Sequence, residues 1–262
     1  MELHVVEAGE GTPVVLLHGL TATHRYVVMG SRALERSGHR VIAYDARGHG
    51  RSAPAPAPDA YGYGELAADL VRVMDARGLA RAVLAGASMG AHTALRVALE
   101  RPERVAGLAL ITPAFDPVAF DPTGLVRWDA LAEGLRTGGV EGFVAAYGDP
   151  GVPAPWREKV LKVLRQRLGA HEHAEAVADA LQAVPRSRPF DALHDLRAIE
   201  APTVVVADRD EADPRHPLAV GEAYARVIPG ARLVVEEDGR SPIAWSGGRL
   251  SRVIARVAKV AR

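Results

Sequence analysis

The chain has 262 residues, 32 lysines and arginines against 32 aspartates and glutamates, and no cysteine. Zero net charge leaves no global field to draw nucleic acid or an acidic membrane to it, and the missing cysteines exclude disulfides and thiolate chemistry. The length suits one α/β folding unit carrying an insertion.

The first residues, Met1-Glu2-Leu3-His4, lack the basic-then-apolar order of a signal peptide. No apolar stretch reaches the roughly 20 residues that span a bilayer. A soluble cytoplasmic protein acting on a small molecule is expected, with no nucleic acid or membrane partner and no preferred oligomeric state. Short apolar runs then recur at 14–17, 41–44, 82–85, 105–111, 203–207 and 233–235. They are continuous rather than alternating, the pattern of strands buried on both faces. Between them lie helical patterns, such as Leu66, Leu70, Val73 and Met74 before Gly78, and Ala94, Leu95, Val97 and Ala98 before Pro102. Asp59, after the Pro/Ala stretch 53–58, is predicted to cap a helix starting near Tyr61. Alternation of strand and helix predicts a mostly parallel sheet covered on both sides.

Near residue 112 the rhythm breaks. Residues 113–201 read as short helices separated by Gly and Pro, with Leu161, Val163, Leu164 and Leu168 as one apolar stripe. The expected organisation is a sheet core from 1–112 and 202–262 with a helical cap at 113–201 over the C-terminal strand ends, where substrate selectivity would reside. Aromatic residues there, among them Phe120 and Trp128, and Trp245 beyond it, are candidates for a pocket. The last helix carries Leu250, Val253, Ile254 and Val257 on one face, with Arg249, Arg252, Arg256 and Lys259 making a solvated basic face.

Four segments carry chemistry. Val15-Leu16-Leu17-His18-Gly19-Leu20 is a strand entering a His-Gly turn, and Asp45-Ala46-Arg47-Gly48-His49-Gly50-Arg51-Ser52 follows the next strand. Gly86-Ala87-Ser88-Met89-Gly90 is a G-x-S-x-G turn after an apolar run, and Val204-Val205-Val206-Ala207-Asp208-Arg209-Asp210 follows the insertion. Small residues must flank Ser88, because its backbone is strained and the helix after it passes close to the strand.

In order and spacing these segments resemble the α/β-hydrolase family across the chain outside the insertion. The resemblance implies that Ser88 is the nucleophile, that the backbone N–H groups of Leu20 and Met89 form an oxyanion hole, and that an acid after the strand orients a catalytic imidazole; Asp210 is the leading candidate, with Glu211 and Asp213 in the same loop. The family's histidine after the last strand is missing. Gly239-Arg240-Ser241-Pro242 stands there, and neither side chain can take a proton from serine near neutral pH. His216 in Asp213-Pro214-Arg215-His216-Pro217 keeps the chain order Ser, Asp, His and is the leading substitute. His24 and His92 are further pocket candidates, while His18, Arg47 and His49 read as turn architecture. His171 and His173 are two residues apart, a poor spacing for a metal, so no metal or other cofactor is expected. The implied reaction is hydrolysis of an ester, lactone or related carbonyl compound. Cofactor-free elimination or cyclisation at the oxyanion hole, and ligand binding without turnover, are the alternatives.

Overall fold

The computed structural model describes residues 1–118 and 123–261, which leaves Phe120 outside the described residues. The apolar runs become strands of one sheet: β1 (Val5–Ala8), β2 (Thr12–Leu17), β3 (His39–Tyr44), β4 (Ala82–Ala87), β5 (Val105–Ile111), β6 (Thr203–Val206) and β7 (Arg232–Val234). Their spatial order is β1-β3-β2-β4-β5-β6-β7. Only β1 runs antiparallel, pairing Val5 with Tyr44 through Ala8 with Val41; the other neighbours are parallel. This is the mostly parallel sheet expected from the sequence. The expectation lacked β1, an edge strand of four residues with Glu7 inside it and Val6 exposed.

Helices cover both faces: α1 (Ala33–Arg36), α2 (Tyr63–Ala76), α3 (Met89–Glu100), α4 (Thr123–Tyr147), α5 (Ala154–Leu168), α6 (Ala174–Ala183), α7 (Leu218–Val227) and α8 (Gly247–Val260). Alternate residues of a strand feed opposite layers. Val15, Leu17, Ile42, Leu84 and Leu108 pack with α2 and α3, while Val14, Leu16, Val41, Val83 and Ala109 pack with Leu34 of α1 and with Leu250, Ile254 and Val257 of α8. A side chain such as Leu84 or Leu108, fully removed from water, contributes about 1.5–3 kcal/mol.

Asp59 does not cap α2. That helix begins at Tyr63 after Gly62, and the Tyr63 N–H donates to the Ser187 hydroxyl at 2.9 Å, so the cap arrives from 124 residues away. Between β5 and β6 every described element is helical, and α4 breaks at Gly139, whose φ of 58° no helix tolerates. Leu131, Leu135 and Phe143 of α4, Leu164 and Leu168 of α5, and Val177 and Leu181 of α6 form one apolar cluster that also takes in Leu20, Tyr61 and Met89. The inserted helices are thereby fixed to the turns that surround Ser88.

Candidate active site

Ser88 lies between β4 and α3 with φ 50° and ψ −112°, a backbone conformation that only a tight set of neighbours sustains. The neighbours are glycines because nothing larger fits. A Cβ on Gly86 would lie 2.2 Å from the Gly90 carbonyl oxygen, and one on Gly90 would lie 2.2 Å from the Leu17 carbonyl oxygen. The Ser88 N–H donates to the Ile111 carbonyl at 2.9 Å, which ties the turn to β5. Its hydroxyl is left pointing away from the sheet.

His216 reaches that hydroxyl. Its Nε2 lies 3.0 Å from Ser88 Oγ, and its Nδ1 lies 2.8 Å from Asp213 Oδ2. With the carboxylate accepting from Nδ1–H, the free lone pair is on Nε2 and the serine hydroxyl donates to it. Local sequence explains the pairing. Asp213-Pro214-Arg215-His216 is a β-turn with Asp first and Pro second, closed by the His216 N–H on the Asp213 carbonyl at 3.1 Å, so the first and last side chains meet. Burial lowers the imidazole's proton affinity, but the charge and hydrogen bond of Asp213 outweigh it and hold His216 above the usual histidine range. Burial raises Asp213, and the His216 charge and hydrogen bond overcome this and leave it below the usual carboxylate range.

Asp210 is therefore corrected as the partner of the imidazole. Its exposed carboxylate accepts from the Leu218 N–H at 2.7 Å and caps the start of α7. Arg240 and Ser241, where the family's histidine would stand, are exposed on the turn after β7.

The Leu20 turn lies against the serine: a Cβ on Gly19 would sit 3.4 Å from the Ala87 carbonyl oxygen and 3.5 Å from Ser88 Cβ. Among the described residues neither the Leu20 nor the Met89 N–H has a protein acceptor. Three histidines hold the turn by its carbonyls. His18 Nδ1 lies 2.8 Å from the Gly19 oxygen, His49 Nε2 2.7 Å from the Leu20 oxygen, and His171 Nε2 3.3 Å from the Thr21 oxygen. The Ala46 N–H donates to His18 Nε2 and the Gly50 N–H to His171 Nδ1, so both rings are single donors and neutral. Burial, followed by the neighbouring His49, pushes His18 down to about 3 and His171 down to about 4. No local pattern marks His171 for this role, because its partners are 121 and 150 residues away.

A family model described as alpha/beta hydrolase fold matches residues 12–146. A protein of Variovorax paradoxus (strain S110), provisionally named carbamate hydrolase RutD, is 34% identical over 81% of this chain and 79% of its own. The chain belongs to the α/β-hydrolase fold family. Among solved structures, a thermophilic esterase from Thermogutta terrifontis with malate bound superposes with a TM-score of 0.81 at 29% identity, covering 99% of this chain and 93% of that one. The enol-lactonase of Burkholderia xenovorans LB400 does so at 0.73 and 26%, covering 98% and 94%. By class the protein is a hydrolase of this family.

Within this α/β-hydrolase the remaining candidates separate. His92 is buried, and its Nε2 accepts from the Ala114 and Phe115 N–H groups at 3.2 Å each while Nδ1 faces the Tyr63 hydroxyl at 3.1 Å. Burial, and then the charge of His216, pushes it down to about 3, so the ring is neutral, and the lone pair on Nε2 is already taken by those two N–H groups. His24 is turned to Asp45, with its Nδ1 and its N–H both 2.8 Å from Oδ1. Trp128 packs against the cluster that holds Leu20 and Met89, whereas Trp245 packs under α8 and meets Trp156 edge to face at 5.6 Å. His4, His24 and Asp45 have ligand atoms within 4.8 Å of one another and are the one described group that could hold a metal ion. The Asp45 oxygens in that group already accept from His24 and from the Arg51 N–H.

A buried carboxyl pair lies beneath the His216 loop and was not anticipated. Asp208 has no hydrogen-bond partner for either oxygen among the described residues, and Glu236 offers Oε1 to the Arg209 N–H but leaves Oε2 unpaired. Burial, with Glu236 and Asp213 adding repulsion, pushes Asp208 up to about 8. Its neutral form is thereby favoured. No helix among the described residues is long and apolar enough to cross a membrane.

Proposed function

We propose that this protein is a serine hydrolase that cleaves an ester, lactone or related small carbonyl compound through an acyl-enzyme on Ser88. The observation that carries the reading is the continuous line from Ser88 Oγ to His216 Nε2 and from Nδ1 to Asp213 Oδ2, at 3.0 and 2.8 Å. In this reading His216 takes the hydroxyl proton as Oγ attacks the carbonyl carbon, and Asp213 stabilises the imidazolium. The Leu20 and Met89 N–H groups receive the oxyanion, for which they have no competing protein acceptor. His216 then gives the proton to the departing oxygen or nitrogen, and water repeats the sequence to free the acid. The names of the relatives, for carbamate, ester and enol-lactone hydrolysis, all describe an acyl carbon bonded to such a leaving atom. The inserted helices act as the lid of this site.

Steady-state turnover of p-nitrophenyl acetate and a panel of small lactones tests the assignment. Ser88→Ala and His216→Ala each lower kcat by about 10³-fold or more, whereas Asp210→Asn, which keeps the α7 cap, stays within about threefold of wild type. An unchanged rate in His216→Ala overturns the reading.

A further inference from the structure

Arg167 sits in the last turn of α5, four residues before His171, whose ring is hydrogen-bonded to the Leu20 turn. Its neighbours Leu164 and Leu168 pack in the cluster that contains Leu20 and Met89. The guanidinium lies over the Tyr26 ring at 5.3 Å, and its charge is felt by both Asp213 and His216. The residue as a whole is only partly buried, but its Nε is fully so and has no hydrogen-bond partner among the described residues.

That is an expensive arrangement for a charge unless something completes it. Elsewhere this fold satisfies a buried guanidinium thoroughly. Arg47 donates to Asp69 at 2.7 Å, to the Ala60 carbonyl at 2.6 Å and to the Glu65 carbonyl at 3.2 Å. The groups that act electrostatically on Arg167 are Tyr26, Asp213 and Tyr147. Arg215 and Arg127 lie over the Tyr147 ring at 4.2 and 5.4 Å, and the Tyr147 phenol is a neighbour of Arg167 as well. The nearest carboxylate, Asp213, is engaged by His216. Arg167 thus keeps one fully buried N–H donor, Nε, without a hydrogen-bond partner among the described residues, and its charge acts on the Asp213–His216 pair that serves the proposed nucleophile.

We infer that Arg167 binds a carboxylate carried by the substrate, so that the preferred substrates are esters, lactones or related acyl compounds with an anionic group close to the scissile carbonyl. This rests on the Ser88 reading, which it narrows to one substrate class. A planar guanidinium suits a carboxylate, and a charge-assisted hydrogen bond of this kind corresponds to about a 10- to 100-fold difference in affinity.

The test compares methyl butyrate with monomethyl succinate by pH-stat, esters of similar reach that differ in charge and whose poor leaving group suppresses attack by the substrate's own carboxylate. Wild type is expected to favour the charged ester by 10-fold or more in kcat/KM, chiefly through KM. Arg167→Met abolishes the preference, Arg167→Lys retains part of it, and Arg165→Met, on the exposed pair with Glu141, changes nothing. Equal kcat/KM for the two esters in wild type, or a preference that survives in Arg167→Met, overturns the inference while leaving the Ser88 reading intact. Should neither ester turn over, the Ser88 reading fails by itself, and calorimetric titration with succinate decides: binding that Arg167→Met removes supports the carboxylate site, and no binding to wild type refutes it. The wild-type comparison needs no variant, so a misfolded Arg167→Met leaves the question answerable.

Discussion

At the scale of single residues, the site turns on which carboxylate serves His216. Asp213 raises the imidazole's proton affinity against the effect of burial, and the base works only when neutral. The acid limb of kcat/KM therefore lies above the ordinary histidine value near 6.5. In Asp213→Asn the burial effect remains and the raising effect is gone, so the limb moves to lower pH while kcat falls about 10²- to 10⁴-fold; a pH–rate profile of the two proteins checks both. An acid limb that stays put in Asp213→Asn would count against the assigned pair. Asp208 makes a different prediction. Its folded pKa, about 8 against 3.8 unfolded, means that its contribution is fully present below the unfolded value and is lost as pH rises through the folded one. Asp208→Asn removes that penalty, so the variant is more stable by about 1 kcal/mol or more at pH 8 and shows little difference at pH 4. Denaturant melts at the two pH values measure this. The choice between Asp210 and Asp213 was open to a reader of the sequence. The family habit of an acid just after the strand favours Asp210, whereas the Asp-Pro-x-His turn signal brings residues 213 and 216 together.

At the scale of elements, the elbow is a packing device before it is a chemical one. Gly90 faces the Leu17 carbonyl across the gap between α3 and β2, and a methyl there has nowhere to go. Gly90→Ala is expected to destabilise the fold by about 3 kcal/mol or more, because backbone atoms rather than a flexible side chain must move; the shift in urea midpoint reports it, and a loss below 1 kcal/mol would show that the elbow is looser than described. The elements were readable where burial wrote them plainly. Continuous apolar runs marked β2 to β6, and the stripe of Leu250, Ile254 and Val257 marked α8. What escaped was local structure decided at long range: β1, which is a strand only because it pairs with β3, and the start of α2, capped by Ser187 rather than Asp59. Single-window patterns carry no information about such partners.

At the scale of the whole molecule, the chain builds one site from four distant stretches. In the proposed reading the nucleophile comes from the β4–α3 turn, the base and acid from the loop after β6, the oxyanion turn from the end of β2, and the clamp on that turn from His171 between α5 and α6. In that reading His216 takes the part of the family's histidine after the last strand. Fold and nucleophile turn were legible from ordered motifs, whereas Arg167 and the histidine clamp were not, since their meaning lies in what they face. The central claim is that His216 activates Ser88, and the most direct measurement is labelling by a fluorophosphonate followed by intact-protein and peptide mass spectrometry. The account predicts one adduct per chain, located on Ser88, absent in Ser88→Ala and slowed at least 100-fold in His216→Ala; a wild-type protein that takes up no label, or a His216→Ala variant that labels at the wild-type rate, would contradict it.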